Sequence, residues 1–381
     1  MKNQVAGSKK RIVIFIDWFY PAYKAGGPIK SVFNIVSVLK ESHEIRIITS
    51  AYDLDGTEVN LVHNELIQQE GCAVIYLTKE NQNTKTVKSL VVGFNPDVIY
   101  YNSVFSIHFT MIPLFLFKYA FKTIIAPRGM LGKGALKIKP VKKSIFLFLA
   151  KRFLFSKKML WHASTEFEVK EIRAVFGEKT NVLIAQNMSS PVTDRTQSNT
   201  TKESGTLHLV FLSRISEKKN LLFLIEALVH NLELNVQLDI YGPIEDEAYW
   251  KKCNELMNKD NRLKYAGVVQ PHEIAEILQQ YHFSVLPTIH ENYGHSIAES
   301  ITSLVPVLVS KNTPWINLVE YNVGYDLELN EKVWLNCINK LISMSQVEYN
   351  KMITSCELFS YKNILSEEII QHNQKLFSFE S

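Results

Sequence analysis

Along the N-terminal half, short β-branched apolar runs alternate with stretches whose apolar residues recur at helical spacing. "RIVIFID" (11–17) has strand length and is followed by a Gly/Pro loop, "AGGP" (25–28). Ile29, Val32, Phe33, Val36 and Leu39 then mark one face of a helix. Further strands are predicted at "EIRIITS" (44–50), "CAVIYL" (72–77), "DVIYY" (97–101), "KTIIA" (122–126), "MLWHA" (159–163) and "NVLIAQ" (181–186), with helices in most of the gaps. Residues 188–206 interrupt this rhythm. They are polar and rich in Ser and Thr, the composition of a linker. A second array follows: strand "LHLVFL", helix "NLLFLIEALVH", strand "VQLDIYG", a helix over 247–257, strand "LKYAG", helix "HEIAEILQQY", strand "FSVLPT", a helix from about His295 and strand "VPVLVS". Residues 331–381 read as helices. The pattern predicts an α/β chain: two Rossmann-like parallel-sheet domains, 1–188 and 207–360, joined by a linker at 189–206, with a last helix in 361–381 packing back on the first domain. Such sheets would face a cleft at the carboxyl ends of their strands, where their ligands bind. The uncharged span Val98–Phe117 is interrupted by Asn102, Ser103, Ser106, His108, Thr110 and Pro113, so it is not read as a membrane span.

Composition narrows the class. Of 381 residues, 46% are hydrophobic and 21% charged, as in folded soluble proteins rather than disordered or fibrous ones. Cys72, Cys253, Cys337 and Cys356 are far apart and form no CxxC pair, which argues against a structural zinc or a disulfide framework. The apolar run near the N-terminus is short and enters a strand pattern, so no signal peptide is read. The expected setting is reducing and cytoplasmic. The net charge of +4 is unevenly placed: Val98–Thr165 holds no Asp or Glu and twelve Lys or Arg, leaving the rest of the chain at 4 − 12 = −8. Within that stretch, "KIKPVKKSIFLFLAKRFLFSKK" (137–158) combines apolar runs with flanking Lys/Arg clusters. It is too short and too basic to span a bilayer but suits an anionic membrane surface. A buried helix with a solvated basic rim is the plainer alternative. No nucleic-acid module is recognisable, so nucleic acid is not expected as a partner.

The chemistry concentrates in "LPTIHENYGHSIAES". If the strand ends at Pro287 and a helix starts near His295, Glu291 lies on the loop and Glu299 within the helix. The backbone N–H groups of Gly294, His295, Ser296 and Ile297 would then sit at a helix N-terminus, with Tyr293 beside them, suited to a diphosphate. The two carboxylates could accept hydrogen bonds from hydroxyls on either side of it, the layout of a sugar nucleotide. Otherwise, this is a helix with ordinary acidic capping and a solvated Glu299. "SRISEKKN" (213–220) follows a strand and precedes a helix; Arg214 and Lys219 could neutralise a departing diphosphate, with Lys218 competing for the second role. An exposed basic loop is the alternative. Gly26 and Gly27 in "AGGPIKS" could admit a ligand close to the backbone or form a plain turn. Arg128 in "APRGML" is either a cleft residue or a surface arginine.

These segments, with "GVVQPHEIAEIL", "VPVLVSKNTPW" and "YGP", resemble the retaining glycosyltransferases of family 4, of GT-B fold and bacterial surface-polysaccharide type. The family's Glu-x7-Glu pair falls on Glu291 and Glu299, and its Arg…Lys pair on Arg214 and Lys219. The resemblance implies that Glu291 contacts the transferred sugar and Glu299 the ribose. Arg214 and Lys219 would hold the diphosphate, and the Gly26–Gly27 loop would line the cleft. It further implies hexosyl transfer from a UDP- or GDP-hexose to a glycan or polyprenyl-diphosphate-linked acceptor, with retention and without a metal or other cofactor. The expected location is cytoplasmic, peripheral on the inner face of the plasma membrane. No Asp-x-Asp signature occurs near the proposed site. A non-catalytic sugar-nucleotide-binding or polysaccharide-binding protein on the same frame is the alternative. Ser213, Asn220 and Leu304 stand where the family commonly has Gly, and Arg128 where many members have His.

Overall fold

The computed structural model describes residues 9–69, 71–137, 140–156, 158–189 and 200–378. They form two compact units: the described residues of Met1–Met188 with Glu367–Ser381, and those of Ser189–Ser366.

The first unit runs β1 (Lys10–Phe15), α1 (Gly27–Leu39), β2 (His43–Ser50), β3 (Leu66–Gln69), β4 (Cys72–Leu77), α2 (Thr84–Phe94), β5 (Val98–Tyr101), α3 (Ile112–Phe117), β6 (Lys122–Ile125), α4 (Lys133–Lys137), α5 (Pro140–Phe153), β7 (Leu160–Ala163), α6 (Glu166–Phe176) and β8 (Val182–Ile184). Its strand order is β3-β4-β2-β1-β5-β6-β7-β8. All pairings are parallel except that of β3 with β4. Ile12, Val13, Ile14 and Phe15 of the central strand are fully buried, because helices cover both faces; an unbroken apolar run results instead of alternation. The edge strand β3, "LIQQ", has no such run and was not anticipated.

The second unit runs β9 (Leu207–Leu212), α7 (Leu221–Val229), β10 (Val236–Tyr241), α8 (Glu247–Met257), β11 (Leu263–Gly267), α9 (Ile274–Leu278), β12 (Phe283–Leu286), α10 (His295–Thr302), β13 (Val307–Ser310), β14 (Gly324–Leu327), α11 (Glu331–Ile342) and α12 (Gln346–Asn363). The sheet is parallel throughout, in the order β11-β10-β9-β12-β13-β14. A final helix, α13 (Glu367–Ser378), belongs to the first unit: it packs on α1, and its Phe377 ring lies 5.5 Å from that of Tyr100.

Two expected boundaries move. Of the linker, 190–199 lies outside the described residues, but 200–206 is built into the second unit. Lys202 is 1% exposed, and its Nζ donates to the carbonyls of Glu203, Ile342 and Met344 at 2.9, 3.1 and 3.4 Å. The Gly205 N–H donates to Ile342 O at 2.8 Å. This polar stretch therefore caps the carboxyl end of α11, where the helix dipole favours a cation. At the other boundary, α12 continues to Asn363, so the chain leaves the second unit after Ser366 rather than after 360.

Candidate active site

In the second sheet β9 and β12 are neighbours, and the chain leaves β9 toward β10 but leaves β12 in the opposite direction, toward β13. Ligands of open parallel sheets bind at such a point, beyond the carboxyl ends of the strands. The loops after β9 and β12, with the helix α10 that follows the second, carry all the second-unit candidates.

The loop after β9 leads through a single 3₁₀ turn, Glu217–Lys219, into α7. Neighbouring backbone fixes its course. Ser213 N–H donates to Tyr241 O at 3.1 Å, and Ile215 N–H to Pro243 O at 2.9 Å. Gly242 allows this approach, since a Cβ there would stand 1.9 Å from Ser213 O. Arg214 is half-buried, and its Nη1 lies 2.8 Å from Oε1 of Glu245, just beyond β10. The sequence reading missed this partner, although an acid following "YGP" at the end of the adjacent strand was a visible signal. Lys219 turns inward and is 8% exposed.

The loop after β12 is pinned to the first: Ile289 N–H and Thr288 Oγ1 both donate to Lys218 O at 2.9 Å. Glu291 N–H donates to Asn312 O at 3.0 Å. These contacts bring Glu291 onto Lys219, whose Nζ donates to Glu291 Oε2. Lys219, rather than the exposed Lys218, is thus the paired cation. Gly294 follows at φ 83° and caps α10. The positive φ favours a glycine, and a Cβ there would also press on Ile297 Cδ1 at 2.9 Å and Glu291 Cγ at 3.2 Å.

The start of α10 has no side-chain cap and no acidic residue in its first turn, which sets aside ordinary acidic capping. The first intrahelical donors are the N–H groups of Ile297 and Ala298, both to Gly294 O, at 2.9 and 3.1 Å. Two expectations change here. The Ile297 N–H is spent inside the helix, so the amides of Gly294, His295 and Ser296 precede the helical ladder without it. Tyr293, expected to touch the donor, is packed in the core: its ring lies 5.5 Å from that of Trp315, whose Nε1 donates to Tyr293 O. Glu299 is half-buried on α10, one turn beyond His295.

Burial pushes the Glu291 carboxyl up, but the charges of Lys219 and Lys218, the Lys219 hydrogen bond and the more distant Arg214 outweigh it and hold the group at about 2. The site therefore presents a fixed carboxylate within a cationic surround, beside a helix N-terminus. That is an arrangement able to receive a diphosphate and the hydroxyls flanking it.

Gly26, Gly27 and Arg128 lie in the first unit. Gly26 has φ 69° and ψ −118° and caps α1, with Gly27 at the first helical position. Arg128, at φ 54°, is half-buried and held by three hydrogen bonds. Its Nε donates to Asn102 Oδ1 at 2.8 Å, Nη1 to Asn187 Oδ1 at 2.6 Å and Nη2 to the Tyr100 hydroxyl at 2.6 Å. Asn102 Nδ2 in turn donates to Pro28 O at 3.2 Å, which ties Arg128 to the glycine loop. Tyr100 passes its proton bond to His162 Nδ1 at 2.8 Å, and His162 Nε2 donates to Ala185 O at 2.7 Å. Burial, and then Arg128, pull His162 down to about 3, so it is a neutral member of this chain. Two further groups were not anticipated. Buried Glu168 accepts from the Gly129 and Ser164 N–H groups at 2.7 and 2.8 Å. Asp17, just past β1, accepts from Ser106 Oγ at 2.5 Å and is raised by burial.

Residues 193–353 match the family model of glycosyl transferases group 1. The fold is GT-B. A GT-B protein of Anabaena, HepE, solved in complex with UDP and glucose, superposes with a TM-score of 0.69 at 16% identity, covering 97% of this chain and 98% of that one. Sucrose-phosphate synthase from Thermosynechococcus elongatus gives 0.75 at 15% identity over the same shares. WaaG, a glycosyltransferase involved in lipopolysaccharide biosynthesis, gives 0.67 at 13% identity, over 97% of this chain and 100% of that one. Among curated proteins, the GtfA subunit of a UDP-N-acetylglucosamine–peptide N-acetylglucosaminyltransferase from Limosilactobacillus reuteri subsp. suis is 25% identical over 158 residues. That alignment spans 40% of this chain and 30% of the relative.

Proposed function

We propose that the protein is a family 4-like glycosyltransferase. It would move a hexosyl unit from a UDP- or GDP-hexose to a glycan or polyprenyl-diphosphate-linked acceptor, with retention of anomeric configuration, in the synthesis of capsule, O-antigen or exopolysaccharide. The reading rests on one observation above all: the largely buried Glu291–Lys219 pair, beside Gly294 and the start of α10, which has no side-chain cap. HepE's complex with UDP and glucose supports a nucleotide-sugar donor, and WaaG's part in lipopolysaccharide synthesis supports a surface-glycan role.

In this reading the diphosphate lies over the amides of His295 and Ser296, with Arg214 and Lys219 taking its charge. Glu299 accepts from the ribose hydroxyls. Glu291, held ionised by its neighbours, accepts from the hydroxyls of the transferred sugar and shares Lys219 with the diphosphate. The bond between the anomeric carbon and the diphosphate oxygen breaks as the acceptor oxygen bonds that carbon from the same face. The acceptor proton passes to the departing phosphate oxygen. No metal or other cofactor enters, because the two cations and the amides supply the charge. The enzyme works in the cytoplasm, on the inner face of the plasma membrane.

Release of nucleoside diphosphate from a panel of UDP- and GDP-hexoses tests this. The wild type is expected to turn over one of them, and Glu291→Gln to lower that rate at least about a hundredfold, as losing a preorganised charge contact does. Retained turnover in Glu291→Gln would overturn the assignment. No turnover of any donor by the wild type would favour a non-catalytic binding protein.

A further inference from the structure

The outward side of α5 inverts the usual polarity of a surface helix. Leu147 and Ala150 face the core, while Val141, Ile145, Phe148, Leu149 and Phe153 face outward; Phe148 and Phe153 are 76% and 62% exposed. A water-facing helix puts its polar residues on that side. Its other exposed residues are Pro140, Lys142, Ser144, Lys151 and Arg152, none of them acidic. The end of α3 joins this surface. Lys118 Nζ donates to Phe153 O and lies 4.9 Å from the Tyr119 ring centroid and 5.9 Å from that of Phe115, both exposed rings. The Arg152 guanidinium lies 5.8 Å from the centre of the Phe153 ring. Rings and cations therefore interleave in one patch.

We infer that this α3–α5 face docks on an anionic lipid bilayer surface, with the rings and aliphatic side chains entering the headgroup boundary and the cations meeting lipid phosphates. Contiguous exposed apolar surface marks an interaction site. The absence of Asp and Glu from Val98 to Thr165 gives the partner's sign. A nucleic acid would meet the charge but leave Val141, Ile145 and Leu149 in water, and a second copy would set like charges against each other. An interfacial helix with cations beside large apolar residues is built for a charged lipid surface. Contact is with the surface, since among the described residues no helix is long and apolar enough to cross a membrane. The inference is independent of the sugar-transfer reading.

The test is flotation of the full chain with vesicles of phosphatidylcholine alone and with equal parts of phosphatidylglycerol. Binding is expected only to the anionic vesicles and should weaken with salt. Phe148→Ser with Phe153→Ser should lower partitioning at least about tenfold, and Lys142→Glu with Arg152→Glu at least about twenty-five-fold, since each lost cation is worth about fivefold. Both pairs are solvent-exposed and none of these residues lies in the candidate active site, so the thermal midpoint should stay unchanged. Equal binding to neutral vesicles, no binding to anionic ones, or full binding by both double variants would overturn the proposal. So would a dimer in solution that the phenylalanine variant dissolves, because the face would then belong to a second copy.

Discussion

The state of Glu291 is set by competition. Burial alone would raise its carboxyl above the ordinary 4.5, yet Lys219, Lys218 and Arg214 hold it at about 2. Because the folded value lies below the unfolded one, ionised Glu291 stabilises the fold fully above about pH 4.5, and this contribution fades as the pH falls toward 2. The gap is worth about 3 kcal/mol. Urea unfolding of wild type and Glu291→Gln should therefore differ by about 3 kcal/mol at neutral pH and by roughly half that near pH 3. A pH-independent difference would contradict this charge balance. Two departures from the pattern of the resembled family also find their geometry here. Asn220 and Leu304, which stand where Gly is common, adopt φ 59° and 65°. Asn tolerates that region through its short polar side chain; Leu304 holds it while nearly fully buried. The residue types were legible in the sequence, the backbone demand was not. The Arg214–Glu245 pair left one trace, the acid after "YGP", but its members lie on loops after different strands and only the fold brings them together.

At the scale of elements, what could be read depended on burial. The central strands announce themselves because both faces are covered and their runs are unbroken. Strand β14, "GYDL", opens on a glycine and is only partly buried beyond it, so periodicity gave no signal. Arg128 shows the same limit at the site: its partners Tyr100, Asn102 and Asn187 come from two distant segments, and only the fold assembles them. Helix α13 closes that assembly by placing Phe377, 1% exposed, on Tyr100, while Asn373 Nδ2 donates to Gln186 O at 2.9 Å. Phe377→Ala should destabilise the first unit by about 3–5 kcal/mol, the usual cost of emptying such a position. The check is calorimetry with intrinsic probes in each unit. Unfolding of the second unit should be unchanged, and an equal loss in both units would contradict the placement of α13 in the first.

For the whole molecule, the family match falls on the unit that contains Arg214, Lys219, Glu291 and α10, and the GT-B likeness extends over nearly the entire chain. The central claim is that this unit's β9/β12 switch point binds a nucleoside diphosphate through Arg214, Lys219 and the start of α10. Calorimetric titration of UDP, GDP and ADP into the full chain in EDTA buffer, beside the Arg214→Ala variant, tests it most directly. We predict saturable binding of one base family without added metal, weakened about tenfold or more in Arg214→Ala, as expected when a charged hydrogen bond to phosphate is lost. Binding of no nucleotide, or equal binding by wild type and variant, would contradict it.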